Sequence, residues 1–355
     1  MERKIKRRSP PGDKIDRIHP RPDARTLIAN HGYVLIFCLW TIVIFGFIAI
    51  SFTQGTNTAI KAEIAYTERI KNIYAARGAC IYATKMLVIN DNQEGNLKDN
   101  ARKETKPALE KPEKDESDVH VSWKSGNQSY SVKIGDRNCE IGISDESSKI
   151  NVNKITDVTR ANFVAFLTSY TFKMDIITAE TITDSILDWI DADDFHHLKG
   201  AEKDYYMSLP SPYEPKNGAL ETIEELALIK GFSSQVFEKL RDYLTVYGSG
   251  KINVNTASKA VLLYVPLVTT DIADAIIQYR TKEGAINNID ALQELFRHFG
   301  VIGSDFQKIP NCLTTDDSNY LTITSVASSD KIKSSYKIIA RKDMDSCKII
   351  AAYPE

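Results

Sequence analysis

The sequence predicts an α+β chain in which one long N-terminal helix and an antiparallel sheet are interrupted by a large α-helical insertion. Three observations carry this expectation. From Tyr33 to Thr53 the chain holds no charged residue, no proline and no amide side chain. Strand-like patterning occurs in two blocks far apart, 119–143 and 320–352, with helical periodicity between them. Within that helical stretch Lys149-Ile-Asn-Val-Asn153 returns unchanged as Lys251-Ile-Asn-Val-Asn255, 102 residues later.

The apolar run, residues 33–53, has the length of a membrane-crossing helix, since about 20 apolar residues span a hydrocarbon core of roughly 30 Å. Residues 1–32 form a basic leader, with nine basic residues against four acidic ones. The positive-inside tendency places that leader in the cytoplasm and residues 54–355 beyond the membrane. A cleaved secretory signal is the competing reading. Its apolar centre is only about 7–15 residues long, however, and no strong Ala-x-Ala site follows here.

Residues 54–90 lack proline, and Ile60, Ile64, Ile70, Ile73, Tyr74 and Ile81 recur mostly at three- and four-residue steps. The membrane helix is therefore expected to continue outward as one rod of about 55 residues, roughly 80 Å at the helical rise. Residues 91–118 are dense in Lys, Glu and Asp and carry Pro107 and Pro112, which predicts a charged flexible loop. Strands follow at Val119–Trp123, Gln128–Ile134 and Cys139–Ile143, so that 119–148 supplies the first part of the sheet. Tyr320–Val326, Tyr336–Arg341 and Cys347–Ala352 supply the rest within 313–355.

The overall charge of −2 gives no support to nucleic acid as a partner, because phosphate binding leaves a cationic excess. The five cysteines leave Cys80, Cys139, Cys312 and Cys347 in an oxidising compartment once Cys38 is assigned to the membrane. An even count permits disulfides without fixing their pairing; the expected pair is Cys312 with Cys347.

The repeat divides the insertion into residues 149–248 and 249–312, two subdomains of SAM-like or helix-hairpin-helix-like character, each with an extended start followed by paired helices. Helix-hairpin-helix modules grip DNA phosphates through a glycine-rich hairpin. The corresponding stretch here, Tyr264-Val-Pro-Leu-Val-Thr-Thr-Asp271, has no glycine and carries an acid, which argues for a packing module. A membrane-anchored DNA-uptake receptor nevertheless stands as the alternative function.

The densest polar cluster is Asp188-Trp-Ile-Asp-Ala-Asp-Asp194, followed by His196, His197 and Glu202. Clustered carboxylates repel one another unless something neutralises them. Calcium would do so with oxygen ligands, for which Asp191, Asp193, Asp194 and Glu202 are the candidates. The spacing equally allows a helix terminus with an exposed acidic loop and no ion. Adjacent His196 and His197 lack the geometry of a helical metal pair and read as solvent-exposed. Paired carboxylates could suggest a glycosidase, but no cleft pattern accompanies them. Gly-x-Ser-x-Gly, His-Glu-x-x-His and P-loop strings are absent, so no enzyme activity is expected.

In order along the chain stand Ser185-Ile-Leu-Asp-Trp-Ile-Asp-Ala-Asp-Asp194, Gly200-Ala-Glu202, Tyr205-Tyr206, Pro212-Tyr213, Lys216-Asn-Gly218, Glu224-Glu-Leu226 and Lys251-Ile-Asn-Val-Asn-Thr-Ala257. As a set these strings resemble the general secretion pathway protein K family, minor pseudopilins of the type II secretion system. The resemblance implies a pilin-like αβ domain with a helical insertion, and calcium in the helical domain. It implies cleavage by the prepilin peptidase after Gly32, leaving Tyr33 as an N-methylated first residue. Major pilins carry a glutamate at the fifth mature position, where this chain has Phe37. A carboxylate in the membrane costs roughly 2.5–3.5 kcal/mol and persists only with a partner. Phe37 therefore fits a subunit with none ahead of it, at the tip of a pseudopilus. The partners so implied are other minor pseudopilins, the peptidase and, before assembly, inner-membrane lipid. The implied location is the inner membrane, single-pass, with the main domain in the periplasm.

Overall fold

The structure is a computed structural model that describes residues 24–103, 123–126, 128–329, 332–343 and 346–355. Helix α1, Ala24–Lys103, is continuous for 80 residues. It contributes to two units, divided between Tyr66 and Thr67. The segment expected as a charged loop from 91 to 118 is thus helical as far as Lys103. Ala, Lys and Glu have high helix propensity, and charge alone does not end a helix that is free of proline. Residues 104–118 lie outside the described residues.

Within the second unit, α1 presents small side chains, Ala75, Ala76, Ala79, Cys80 and Ala83, all buried. They lie at helical spacing and meet Cys139, Ile141, Ile143, Ile323 and Ile338 on one face of the sheet. Such a stripe lets the backbone approach closely: Cys80 Sγ lies 3.5 Å from the carbonyl of Tyr336. Asn72 Nδ2 donates to the carbonyl of Ile332 (2.7 Å), and the Arg137 guanidinium meets Glu68 at 2.6 Å. The larger residues Ile60, Ile64 and Tyr74 stay exposed.

Strands β1 (Ser129–Ile134) and β2 (Arg137–Asp145) form a hairpin through Gly135-Asp136, where Gly135 takes φ 61°. The insertion contains β3 (Ile150–Asn151), β4 (Leu244–Thr245), β5 (Ile252–Asn253) and β6 (Leu313–Thr314). After it come β7 (Tyr320–Ser328), β8 (Lys333–Lys342) and β9 (Cys347–Pro354). The described residues give an antiparallel sheet in the order β1-β2-β7-β8-β9. The split sheet is confirmed, with Asp145 opposite Leu321 where the insertion leaves and returns. Trp123 lies outside any strand, so the first expected strand is not seen at its C-terminal end; residues 119–122 lie outside the described residues.

Helices α2 (Asp157–Thr168), α3 (Ile176–Ile190), α4 (Lys203–Met207) and α5 (Ser234–Leu240) belong to the first repeat. The second contains α6 (Lys259–Leu262), α7 (Thr270–Lys282), α8 (Ile289–His298) and α9 (Ile309–Cys312). The two repeats share one hydrophobic core, with Phe163 packed edge-on to Tyr264 at 6.3 Å.

The repeated pentapeptide works as a pair of clasps. Ile150-Asn151 pairs in parallel with Leu244-Thr245, closing the first repeat; Ile252-Asn253 pairs in parallel with Leu313-Thr314, closing the second. The last asparagine of each copy bridges backbone. Asn153 Nδ2 donates to the carbonyls of Leu220 and Val246, while its Oδ1 accepts from Leu220 N–H (2.8 Å). Asn255 does the same with Ile286 and Thr315, its Oδ1 accepting from Ile286 N–H (2.8 Å). Replacing either by alanine strips three backbone groups of a partner. The expected loss of stability in urea unfolding is about 2–3 kcal/mol per clasp; an unchanged midpoint would remove the clasps from the stability of the fold.

The first asparagine of the second copy serves a different purpose. Asn253 Nδ2 donates to Asp145 Oδ2 (2.9 Å), and Asp145 also accepts from the N–H groups of Ser147 and Ser318. Beside it the buried Glu146 meets Lys149 at 2.6 Å and the hydroxyls of Thr322 and Thr245. Burial alone would raise the Glu146 pKa; Lys149 and the hydroxyls outweigh that and hold it below the ordinary range. Cys312 is a free thiol, so the expected Cys312–Cys347 disulfide is absent. Nothing in the parallel β5–β6 closure requires it.

Candidate functional site

The candidate site is built on the C-terminal half of α3. Ile182, Ile186 and Trp189 fill the core, and the intervening Asp184 and Asp188, also buried, stand one turn apart on another face. Asp184 is neutralised by a two-point contact with Arg160, Nε to Oδ1 at 2.5 Å and Nη2 to Oδ2 at 3.0 Å. No lysine or arginine among the described residues pairs with Asp188; its partner is His197. Asp188 Oδ1 accepts from His197 N–H (3.0 Å) and from His197 Nδ1 (2.5 Å), while Oδ2 is buried with no hydrogen-bond partner among the described residues.

The loop after α3 folds back over this carboxylate. Lys230 Nζ holds it by donating to the carbonyls of Gly200 (2.8 Å) and Lys199 (3.3 Å). Gly200 lies so close that a Cβ placed there would meet Asp188 Oδ2 at 1.8 Å. Glu202, buried at 2% exposure, has both carboxylate oxygens without a hydrogen-bond partner among the described residues. Asp191 Oδ1 and Asn217 Oδ1 are likewise buried and without a partner among the described residues. Asn217 reaches the loop because it sits in the left-handed region (φ 45°), and its Nδ2 donates to the Asp193 carbonyl. Trp189 and Tyr206, ring centroids 5.2 Å apart, lie beneath.

The electrostatics are those of gathered acids. Burial, then Asp188 and Asp191, push the Glu202 pKa up to about 7. Burial and then Asp193 and Asp188 raise that of Asp191. Burial would lower the His197 pKa, but its ring faces Asp188 on one side and Asp157 (2.9 Å) on the other, and the net shift is upward. Acids left without donors inside a fold are costly. Oxygen donors from Asp188, Asp191, Glu202 and Asn217 fit a hard divalent cation such as calcium. Asp188, Asp191 and His197 bring ligand atoms within 4.8 Å of one another.

Of the four acids expected as ligands, Asp191 and Glu202 are therefore in the buried cluster. Asp193 and Asp194 are exposed on its outer side, and Asp193 Oδ1 accepts from Phe195 N–H (2.8 Å). Asp188, not among those four, is the most buried acid of the group. Its signal in the sequence was an aspartate one turn after Asp184 and three residues before Asp191, within the apolar stretch Ile186-Leu-Asp-Trp-Ile190. His196 is exposed as expected; His197 is half-buried and bonded on both ring nitrogens, which corrects its reading as a solvent histidine.

At the other end, the Gly32–Tyr33 bond lies within α1. Tyr33 and Phe37 are exposed, as are the other large side chains from Val34 to Phe52. By length and composition this helix can cross a membrane.

Residues 148–249 match the family model described as type II secretion system protein K, and residues 248–298 match the helix-hairpin-helix motif. Type II secretion system protein K of Pectobacterium carotovorum is 35% identical over 113 residues, covering 30% of this chain and 34% of the relative. The protein of the same description from Dickeya chrysanthemi is 30% identical over 158 residues, 40% of this chain and 44% of the relative. That from Pseudomonas aeruginosa is 26% identical over 172 residues, 46% of this chain and 50% of the relative. The match thus spans between a third and a half of these relatives. In fold, the chain is similar to a chain of the GspK-GspI-GspJ complex from the enterotoxigenic Escherichia coli type 2 secretion system. The TM-score is 0.58 at 16% identity, over 84% of this chain and 99% of that one. Two separate likenesses thus stand: residues 148–249 are similar in sequence to type II secretion system protein K, and most of the chain is similar in fold to a chain of the GspK-GspI-GspJ complex.

Proposed function

We propose that the chain is a minor pseudopilin of the type II secretion system, a structural protein that assembles with other minor pseudopilins at the tip of the pseudopilus and helps initiate it. The observation that supports this most is the plan of the molecule. A protein K domain is inserted between paired strands of a sheet whose face is covered by a helix that begins as an apolar span. Membrane insertion would place the basic leader in the cytoplasm and the helical insertion in the periplasm. Cleavage by the prepilin peptidase after Gly32 would release Tyr33. With Phe37 in place of a membrane carboxylate, the mature helix would need no partner ahead of it. The exposed Ile60, Ile64 and Tyr74 leave α1 a face for the helices of its neighbours. Calcium, held by Asp188, Asp191, Glu202 and Asn217, would neutralise the gathered acids and fix the loop; Asp193 and Asp194 would add negative charge at its rim.

The helix-hairpin-helix match favours one other reading, a DNA-binding receptor. The hairpin between α6 and α7 opposes it. Its left-handed residue is Leu267 (φ 71°), with a side chain where glycine would let backbone N–H groups approach phosphate. One preparation separates the two. Epitope-tagged chain extracted from cells with an intact secretion system is expected to bring down other minor pseudopilins and to begin at Tyr33 on N-terminal sequencing. Recovery alone, with salt-dependent binding to duplex DNA, would replace the pseudopilin reading with the receptor.

A further inference from the structure

A cavity of about 620 Å³ lies between Leu87 and Asn90 of α1, the loop at Trp123–Gly126, the second repeat and the turn at Thr315–Asp317. Arg280, from the last turn of α7, lines it. The Arg280 guanidinium has five N–H donors. Nη1 donates to the carbonyl of Val254 at 2.8 Å, a contact that ties α7 to the second clasp. That single backbone contact is its only hydrogen bond among the described residues, and no carboxylate among them pairs with it. Burial lowers its pKa with no opposing carboxylate. A guanidinium half-drawn from water with no anion beside it retains donors that an anion entering the cavity can take up.

The rest of the lining favours an anion of modest size. Lys124 and Lys342 add positive charge, and Thr281 and Asn287 add polar groups. Asp316 and Asp317 line it too, and the Lys342 charge acts on Asp317. Asp317 is engaged by Ser125 Oγ (2.6 Å) and by Asn253 Nδ2 (3.2 Å). The Asn255 amide is spent on the clasp.

We propose that this cavity is a carboxylate-binding site, in which the planar fork of Arg280 takes the ligand's carboxylate and Lys124 and Lys342 contribute further positive charge. The carboxylate belongs either to a small free acid or to an acidic side chain of a neighbouring protein. The chemistry is the same, because a guanidinium matches a carboxylate with two parallel hydrogen bonds in both cases.

Isothermal titration of the full-length chain in detergent, with calcium present and ionic strength held constant, tests the site. Two probes are used separately, succinate and a hexaglutamate peptide. Saturable binding of succinate identifies a site for a free acid; binding of the peptide alone identifies a site for a protein side chain. In either case Arg280→Gln is expected to weaken binding roughly tenfold or more. Ala285→Trp, at an exposed position in the lining, is expected to weaken it as much while leaving the thermal midpoint unchanged. Arg280→Lys, which keeps the charge and loses the fork, is expected to fall between wild type and Arg280→Gln. The proposal is overturned if neither probe binds, or if the probe that binds does so equally well to Ala285→Trp and Arg280→Gln.

Discussion

Adding a calcium chelator to the purified chain is expected to lower its thermal midpoint by roughly 8–16 °C, and calcium in excess to restore it. The size follows from linkage: a ligand at about 1,000 times its Kd stabilises by about 4 kcal/mol, and about 1 kcal/mol moves a domain of this size by roughly 2–4 °C. The same acids set an opposite pH trend with and without the ion. In chelator, burial and the neighbouring acids hold the Glu202 pKa at about 7 in the fold, against 4.5 unfolded. Between those values the native state binds more protons than the unfolded one, so stability falls as pH rises. Asp191 and His197, also raised, act in the same direction over their own intervals. Calcium needs its carboxylates ionised, so the stabilisation it supplies grows over the interval in which the metal-free chain weakens. Thermal melts from pH 4.5 to 7.5, with and without chelator, read both trends. A midpoint indifferent to chelator and calcium alike would dismiss the ion.

Gly200→Ala should be nearly as damaging for a change of one methyl group. The added carbon would stand 1.8 Å from Asp188 Oδ2 and 2.6 Å from its Cγ, and Asp188 is a short side chain already buried. Either the loop lifts or the carboxylate turns away from Asp191 and Glu202. The expected result is a loss of about 1–3 kcal/mol from overpacking, and with it most of the calcium-dependent part of the midpoint. A variant that keeps its full response to calcium would show that the loop can move without disturbing Asp188.

Much of the plan was legible before the structure. The split sheet followed from turn residues such as Gly135-Asp136 between alternating segments, and the repeat announced two related subdomains. The clasps explain why the pentapeptide recurs: Asn153 and Asn255 answer identical sets of backbone groups, so the same residues are required twice. What stayed hidden depended on three-dimensional neighbours. Periodicity draws attention to large residues, so it marked Ile60 and Ile64 and passed over the alanine stripe by which α1 meets the sheet. Spacing within the acidic string marked Asp193 and Asp194. Nothing local showed that Asp188 would be covered by Gly200, that His197 would turn inward to it, or that Asn217 would arrive from a separate loop. The single core shared by both repeats was equally invisible, because Phe163 and Tyr264 are far apart along the chain.

The point at which the insertion leaves the sheet also bears on the order in which the chain can fold. Strands β2 and β7 are neighbours from Asp145–Leu321 to Asn138–Ser328, yet the entire helical block separates them along the chain. Bringing such distant segments together is slow when the intervening polypeptide is loose. Once the block has formed, its two clasps and the Asp145–Asn253 bond set its entry and exit side by side. The remaining closure is then little more than that of a hairpin. The helical insertion thus acts as a scaffold for the sheet that carries it, and a block that fails to fold leaves β2 without its partner.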